Sequence, residues 1–120
     1  MAQYQHLPIY KTTYDLLVMV TRVTANFPKA YKYSLGDKLR AEVVELVVFI
    51  FKANSSRSDR SKNAGLFLER LQVVELLLRL CKDLRLLAVK QFAEIVSLSD
   101  SLGRQAQGWI KSSALLAESK

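Results

Sequence analysis

At 120 residues the chain has room for one domain, and half of its residues are apolar, so it can bury one core and does not read as a disordered segment. Lys and Arg number 18 against 11 Asp and Glu, a formal charge of +7, which favours polyanionic partners: nucleic acid, an anionic membrane or an acidic protein surface. Cys81 is the single cysteine, which excludes an intrachain disulfide and suits a reducing cytoplasm.

Taken in chain order, residues 1–7 read as a tail that lacks the charged start and apolar run of a signal peptide. Pro8 suits the first turn of a helix. Tyr10, Tyr14, Leu17, Val20 and Val23 recur at steps of three and four, which predicts a helix to about Asn26 with that stripe inward. Phe27-Pro28-Lys29 ends it, because the residue before a proline is pushed out of the helical region. Ser34-Leu35-Gly36-Asp37 then has the form of a capping box. Leu39, Val43, Leu46, Val47 and Ile50 make one stripe of the second helix, and Val44, Val48 and Phe51 widen it beyond what one neighbouring layer would cover. The β-branched run could also be a buried strand, but the pattern from Leu35 to Ala53 is too long for one.

Asn54 to Lys62 is a serine-rich polar loop. A third helix follows from about Asn63 to Leu84, with Phe67, Leu71, Val74, Leu77, Leu78, Cys81 and Leu84 inward and Glu75 placed to pair with Arg79 one turn on. After a turn at residues 85–88, Val89, Phe92, Val96, Leu102, Ala106 and Trp109 mark a fourth helix. Gly103 and Gly108 weaken it, and either close helix packing or fraying would account for them. Residues 112–120 read as a disordered tail. No stretch approaches the roughly 20 apolar residues of a membrane span. Four helices with short connections give an all-α, up-down-up-down bundle spanning residues 1–120 as one domain.

Little here suits catalysis. His6 is the only histidine and lies in the tail, no Cys/His cluster has metal-ligand spacing, and no glycine run could cradle a phosphate. Glu42 and Glu45, with Arg40 beside them, read as a solvated face. No enzyme activity, metal or cofactor is expected.

The basic residues say more. Lys29, Lys32, Lys38 and Arg40 cluster at the first connection, and Arg57, Arg60 and Lys62 at the second. Lys90, Arg104 and Lys111 share a face of the fourth helix, and Lys11, Arg22 and Lys29 one of the first. Distributed donors of this kind suit a phosphate backbone. For any one of them, an ordinary solvated surface is the competing reading. Tyr31 and Tyr33 alternate with Lys29 and Lys32. Such rings can stack on unpaired bases, although packing against a bundle end is the commoner role.

Three motifs carry a family resemblance: Phe27-Pro28-Lys29 followed by Tyr33-Ser34-Leu35-Gly36-Asp37-Lys38-Leu39-Arg40; Leu78-Arg79-Leu80-Cys81-Lys82-Asp83-Leu84; and Leu102-Gly103-Arg104 followed by Gly108-Trp109-Ile110-Lys111. In this order and spacing, over Tyr10 to Lys111, the chain resembles the accessory variability determinant proteins of diversity-generating retroelements. A sister family, encoded in intervening sequences of ribosomal RNA genes, shares the first connection. It usually carries a small-residue, asparagine-containing stretch ending in Glu-Gly where this chain reads Val48-Phe49-Ile50-Phe51-Lys52-Ala53-Asn54.

The resemblance implies a four-helix protomer in a ring-like homo-oligomer, a pentamer, acting in the cytoplasm of a bacterial host cell. It also implies association with the element's reverse transcriptase and with RNA or DNA, in support of mutagenic retrohoming, and no membrane partner. By matched position, Leu35, Leu39, Trp109 and the glycines would hold the bundle. Lys29, Lys38, Arg40, Arg79, Lys82, Arg104 and Lys111 would contact nucleic acid or polymerase. Lys32, Arg57, Arg60 and Lys62 join this set on charge alone. The alternative is a helical protein-interaction module with no nucleic-acid role.

Overall fold

Among the described residues there are four long helices and one single-turn helix: α1 (Pro8–Thr24), α2 (Lys29–Lys32), α3 (Leu35–Ser55), α4 (Arg60–Asp83) and α5 (Val89–Glu118), preceded by a 3-10 turn at Tyr4–His6. A computed structural model describes the backbone of residues 4–118 and the side chains of residues 4–112. Residues 1–3 and 119–120, the outer parts of the two expected tails, lie outside the described residues.

Each long helix packs on two others. α1 and α4 both lie against α3 and α5, so the four form a closed square. Residues 56–59 and 84–88 are the only links between α3, α4 and α5, and links that short reverse the chain direction, giving up-down-up-down order. The bundle measures 53 × 21 × 19 Å. Its long dimension follows from α5, whose 30 residues rise about 1.5 Å each.

The core runs down the axis of the square. It includes Leu16 and Val20 of α1, Leu39, Val43, Leu46 and Ile50 of α3, Phe67, Leu71, Val74 and Leu78 of α4, and Ile95, Leu102 and Ala106 of α5. Burying each large side chain is worth roughly 1.5–3 kcal/mol. The α3 stripe matches expectation, with Val47 half-buried. The expected α1 stripe is rotated. Ile9, Thr13, Leu16, Val20 and Val23 face inward, while Tyr14 is half exposed. Thr13 and Thr24 can be buried because their hydroxyls donate to the carbonyls of Ile9 and Val20, at 2.7 and 2.8 Å. In α5, Ile95, Ser99, Leu102 and Ala106 take the inner face. Phe92, Val96 and Trp109 are half-buried, and Val89 is exposed.

Helix ends differ from expectation for local reasons. Ser34 does not cap α3 with its side chain; its hydroxyl donates to the Ala30 carbonyl at 3.0 Å, because the single turn of α2 leaves that acceptor free. The loop after α3 is shorter than predicted, and α4 begins at Arg60, whose Nε donates to the Ala53 carbonyl at 3.0 Å and so satisfies the end of α3. α4 closes with Arg85 at φ 61°. The Leu86 amide bonds the Cys81 carbonyl and the Arg85 amide that of Lys82, a Schellman pair that usually carries glycine at the left-handed position. Leu84 is exposed rather than inward, and no ion pair joins Glu75 to Arg79 among the described residues. α5 continues to Glu118, past Ser112 where a tail was expected. Tyr4 packs edge-on against Tyr10 and Phe51, with ring centres 5.5 and 5.4 Å apart.

Candidate nucleic-acid interface

The first connection builds a neck where α1 ends and α3 begins. Gly36 is buried there. A Cβ on it would lie 3.4 Å from Thr24 Cβ, Arg40 Nη1 and the Tyr31 carbonyl oxygen, so a larger side chain would push α1 and α3 apart. Arg40 Nη1 donates to Thr24 Oγ1 at 2.5 Å, and its Nη2 pairs with Asp37. Arg40 thus straps α3 to the last turn of α1.

One turn further along, Glu42 is buried, which overturns its reading as a solvated face. Lys38 Nζ lies 2.9 Å from its Oε1, and Arg70 Nη1 reaches across from α4 to 3.1 Å from its Oε2. The Lys38 hydrogen bond, helped by Arg70, holds the Glu42 carboxyl below its usual 4.5 against the opposing effect of burial. Arg70, absent from the predicted set, completes this knot from 28 positions away in sequence.

The other predicted residues divide between the two ends of the bundle. Lys29, Lys32, Arg79 and Lys82 share with the neck the end where α1 and α4 finish and α3 and α5 start; this is the α2 end. Lys82 Nζ sits 5.0 Å from the centre of the Phe92 ring, and Lys32 Nζ 5.7 Å from that of Tyr33. Arg22, Arg85 and Lys90 lie at the same end and are exposed. Arg22 and Lys90 were readable as members of basic helix faces; Arg85 gave no signal beyond its charge. At the opposite end stand Arg57 and Lys62, both exposed, Arg60, engaged with Ala53, and Lys111 near the finish of α5. The two groups are separated by the length of α3, about 30 Å at the helical rise. One continuous patch does not form.

Arg104 occupies neither end. It borders a groove of about 620 Å³ between α4 and α5, together with Gln72, Glu75, Ser99 and Asp100. Two carboxylates there offset its charge. Gly103 meets only Leu71, at an ordinary 3.9 Å, and nothing lies within 4 Å of a Cβ at Gly108. Of the glycines expected to hold the bundle, Gly36 is the one set in a close approach, while Leu39 is buried and Leu35 and Trp109 pack against the core from its edge.

Burial pushes the Cys81 thiol up to about 11, as the inert-cysteine reading requires. Among the described residues, no group of three or more His, Cys, Asp or Glu could hold a metal ion, and no helix is long and apolar enough to cross a membrane.

No curated protein sequence matches the chain. The profile of the bAvd-like family matches residues 7–113, nearly the whole length and all three motifs. The chain therefore belongs to the bAvd-like family, in keeping with an accessory variability determinant protein.

Proposed function

We propose that this chain is a non-enzymatic accessory protein of a diversity-generating retroelement, which binds the element's reverse transcriptase and its template RNA or DNA through basic surface and so supports mutagenic retrohoming in a bacterial cytoplasm. The observation that carries this reading is the α2 end. Lys29, Arg79, Arg85 and Lys90 stand exposed there without an acidic partner among the described residues, and Arg22 is exposed beside a groove that Asp15 and Glu94 also line. Cations without partners can exchange counterions for phosphates at little internal cost, so the binding they support weakens steeply with salt. The test is the affinity for an RNA oligomer across a salt series, read with co-purification of the reverse transcriptase. A flat salt dependence would count against the phosphate reading.

A ring-like homo-oligomer, a pentamer, forms part of the proposal. Val44 and Phe51 on α3 and Tyr14 on α1 are about half exposed, and neighbouring subunits would cover such residues. A light-scattering mass near five protomers is the expected result, and a monomer would refute this part. The alternative, a protein-interaction bundle without a nucleic-acid role, draws support from the α4 ridge of Leu76, Leu80 and Leu84, which leaves an uncharged stripe outside the core. It predicts capture of the polymerase with no RNA affinity at physiological salt.

A further inference from the structure

We infer that the α2 end is a site for a single nucleic-acid strand, in which Tyr33 stacks on an unpaired base while the surrounding cations hold the flanking phosphates. This rests on the nucleic-acid reading above and narrows it to one end of the bundle and to unpaired strands.

Tyr4, Tyr10, Tyr14 and Phe51 are engaged with one another. Tyr4 packs on Tyr10 and Phe51, and Tyr10 stacks on Tyr14. Tyr31 and Tyr33 are different. The single turn of α2 carries them away from the core, so Tyr33 is 65% exposed and Tyr31 36%. Among the described residues, the ring contact of Tyr33 is with Lys32, at 5.7 Å. Packing against the bundle end, the commoner role for such tyrosines, is therefore not the role of Tyr33. An exposed ring beside a lysine costs apolar surface in water and gains it back when a base stacks on it, and every base has a face to offer. A duplex keeps those faces inside its own stack, so the ring discriminates for unpaired strands.

The charges at this end of the bundle fit the same ligand. Lys29 and Lys32 lie within four residues of Tyr33, and Arg22, Arg85 and Lys90 lie at the same end of the bundle. Asp37 is tied to Arg40, which leaves Asp83 and Glu94 as the exposed acids of this end. Arg85 adds an independent observation. It holds the left-handed conformation at which glycine is normally found, so an arginine stands there against the backbone preference of its residue type. A cation on offer at that point gives the strain a use.

The test measures binding of the full chain to oligo-U and oligo-dT of about ten nucleotides, and to a duplex of equal length, by fluorescence anisotropy; stacking on one base sets the expected scale. Tyr33→Ala is expected to weaken both single strands about tenfold and to leave duplex affinity within about twofold. Tyr33→Phe should restore the single-strand affinity. In Tyr33→Trp, a single strand should quench the indole fluorescence of residue 33 and the duplex should not. The side chain is exposed, and an unchanged melting curve keeps the comparison clean. If the chain binds both strands and duplex but Tyr33→Ala changes neither, the stacking site is refuted while the nucleic-acid reading survives. If the unaltered chain binds no nucleic acid at low salt, both fall.

Discussion

The neck around Glu42 and the α2 tip are adjacent, carry the same kinds of residue, and handle charge in opposite ways. In the neck every cation has a partner: Lys38 and Arg70 share Glu42, and Arg40 is divided between Asp37 and Thr24. At the tip Lys29, Arg22, Arg85 and Lys90 have no ion pair among the described residues, and Lys32 lies against an exposed ring. The difference teaches that charge in a sequence is not charge on offer. Lys38 and Arg40 sit in the same basic cluster as Lys29 and Lys32, yet Arg40 straps α3 to α1 and Lys38 is paired within α3 to the carboxylate that Arg70 reaches from α4.

The comparison can be broken from either side. The largest effect should come from the neck. Glu42→Ala empties a buried site and frees Lys38 and Arg70, whose side chains are 60% and 45% exposed, so we expect a loss of about 1–2 kcal/mol in denaturant unfolding and an RNA affinity that is not reduced. The same group sets a pH dependence. Its folded pKa lies below the unfolded value near 4.5, so its contribution is fully present above that value and is lost as pH falls through the folded one. Glu42→Gln should flatten the stability profile across that acidic range, and an unchanged profile would mean the knot contributes nothing.

At the tip the readout reverses. Lys29→Ser with Lys32→Ser should leave stability within about 0.5 kcal/mol, weaken RNA binding about tenfold at physiological salt, and shallow the salt slope by about 1.4 for two lost phosphate contacts. The smallest expected effect is Arg85→Gly. Relief of the left-handed arginine should raise stability by about 1 kcal/mol while costing some RNA affinity. A variant that gained stability and kept full affinity would show that Arg85 serves no ligand.

Much of the fold was legible. Pro8, the Phe27-Pro28 break and the polar segment after Ala53 placed the helices, and the α3 stripe from Leu39 to Ile50 named its inner face correctly. The apolar pattern mis-phases the inner faces of α1 and α5, because part of each face is made of β-hydroxyl residues. Thr13, Thr24 and Ser99 are buried, and both threonines satisfy their hydroxyls on the preceding turn, so a β-hydroxyl residue can sit inside where a tyrosine with a distant hydroxyl cannot. The expected cap at Ser34 failed because its hydroxyl found an acceptor in α2.

The candidate site was legible as a set of residues and not as a surface. Positions in the chain identified the basic clusters, but the pairing of Glu42 with Arg70 across two helices decides which of those charges are consumed. That requires knowing which faces meet. The exposure of Tyr33 was equally hidden, because it depends on α2 being a single turn that points off the bundle.

The most direct test of the central claim is the salt slope of RNA binding, measured side by side for the unaltered chain, the Lys29→Ser/Lys32→Ser tip variant and an Arg70→Gln neck variant. The account predicts a steep slope for the unaltered chain, the same slope for the neck variant and a shallower one at the tip. An equal loss of slope in the neck variant, or no change at the tip, would contradict it.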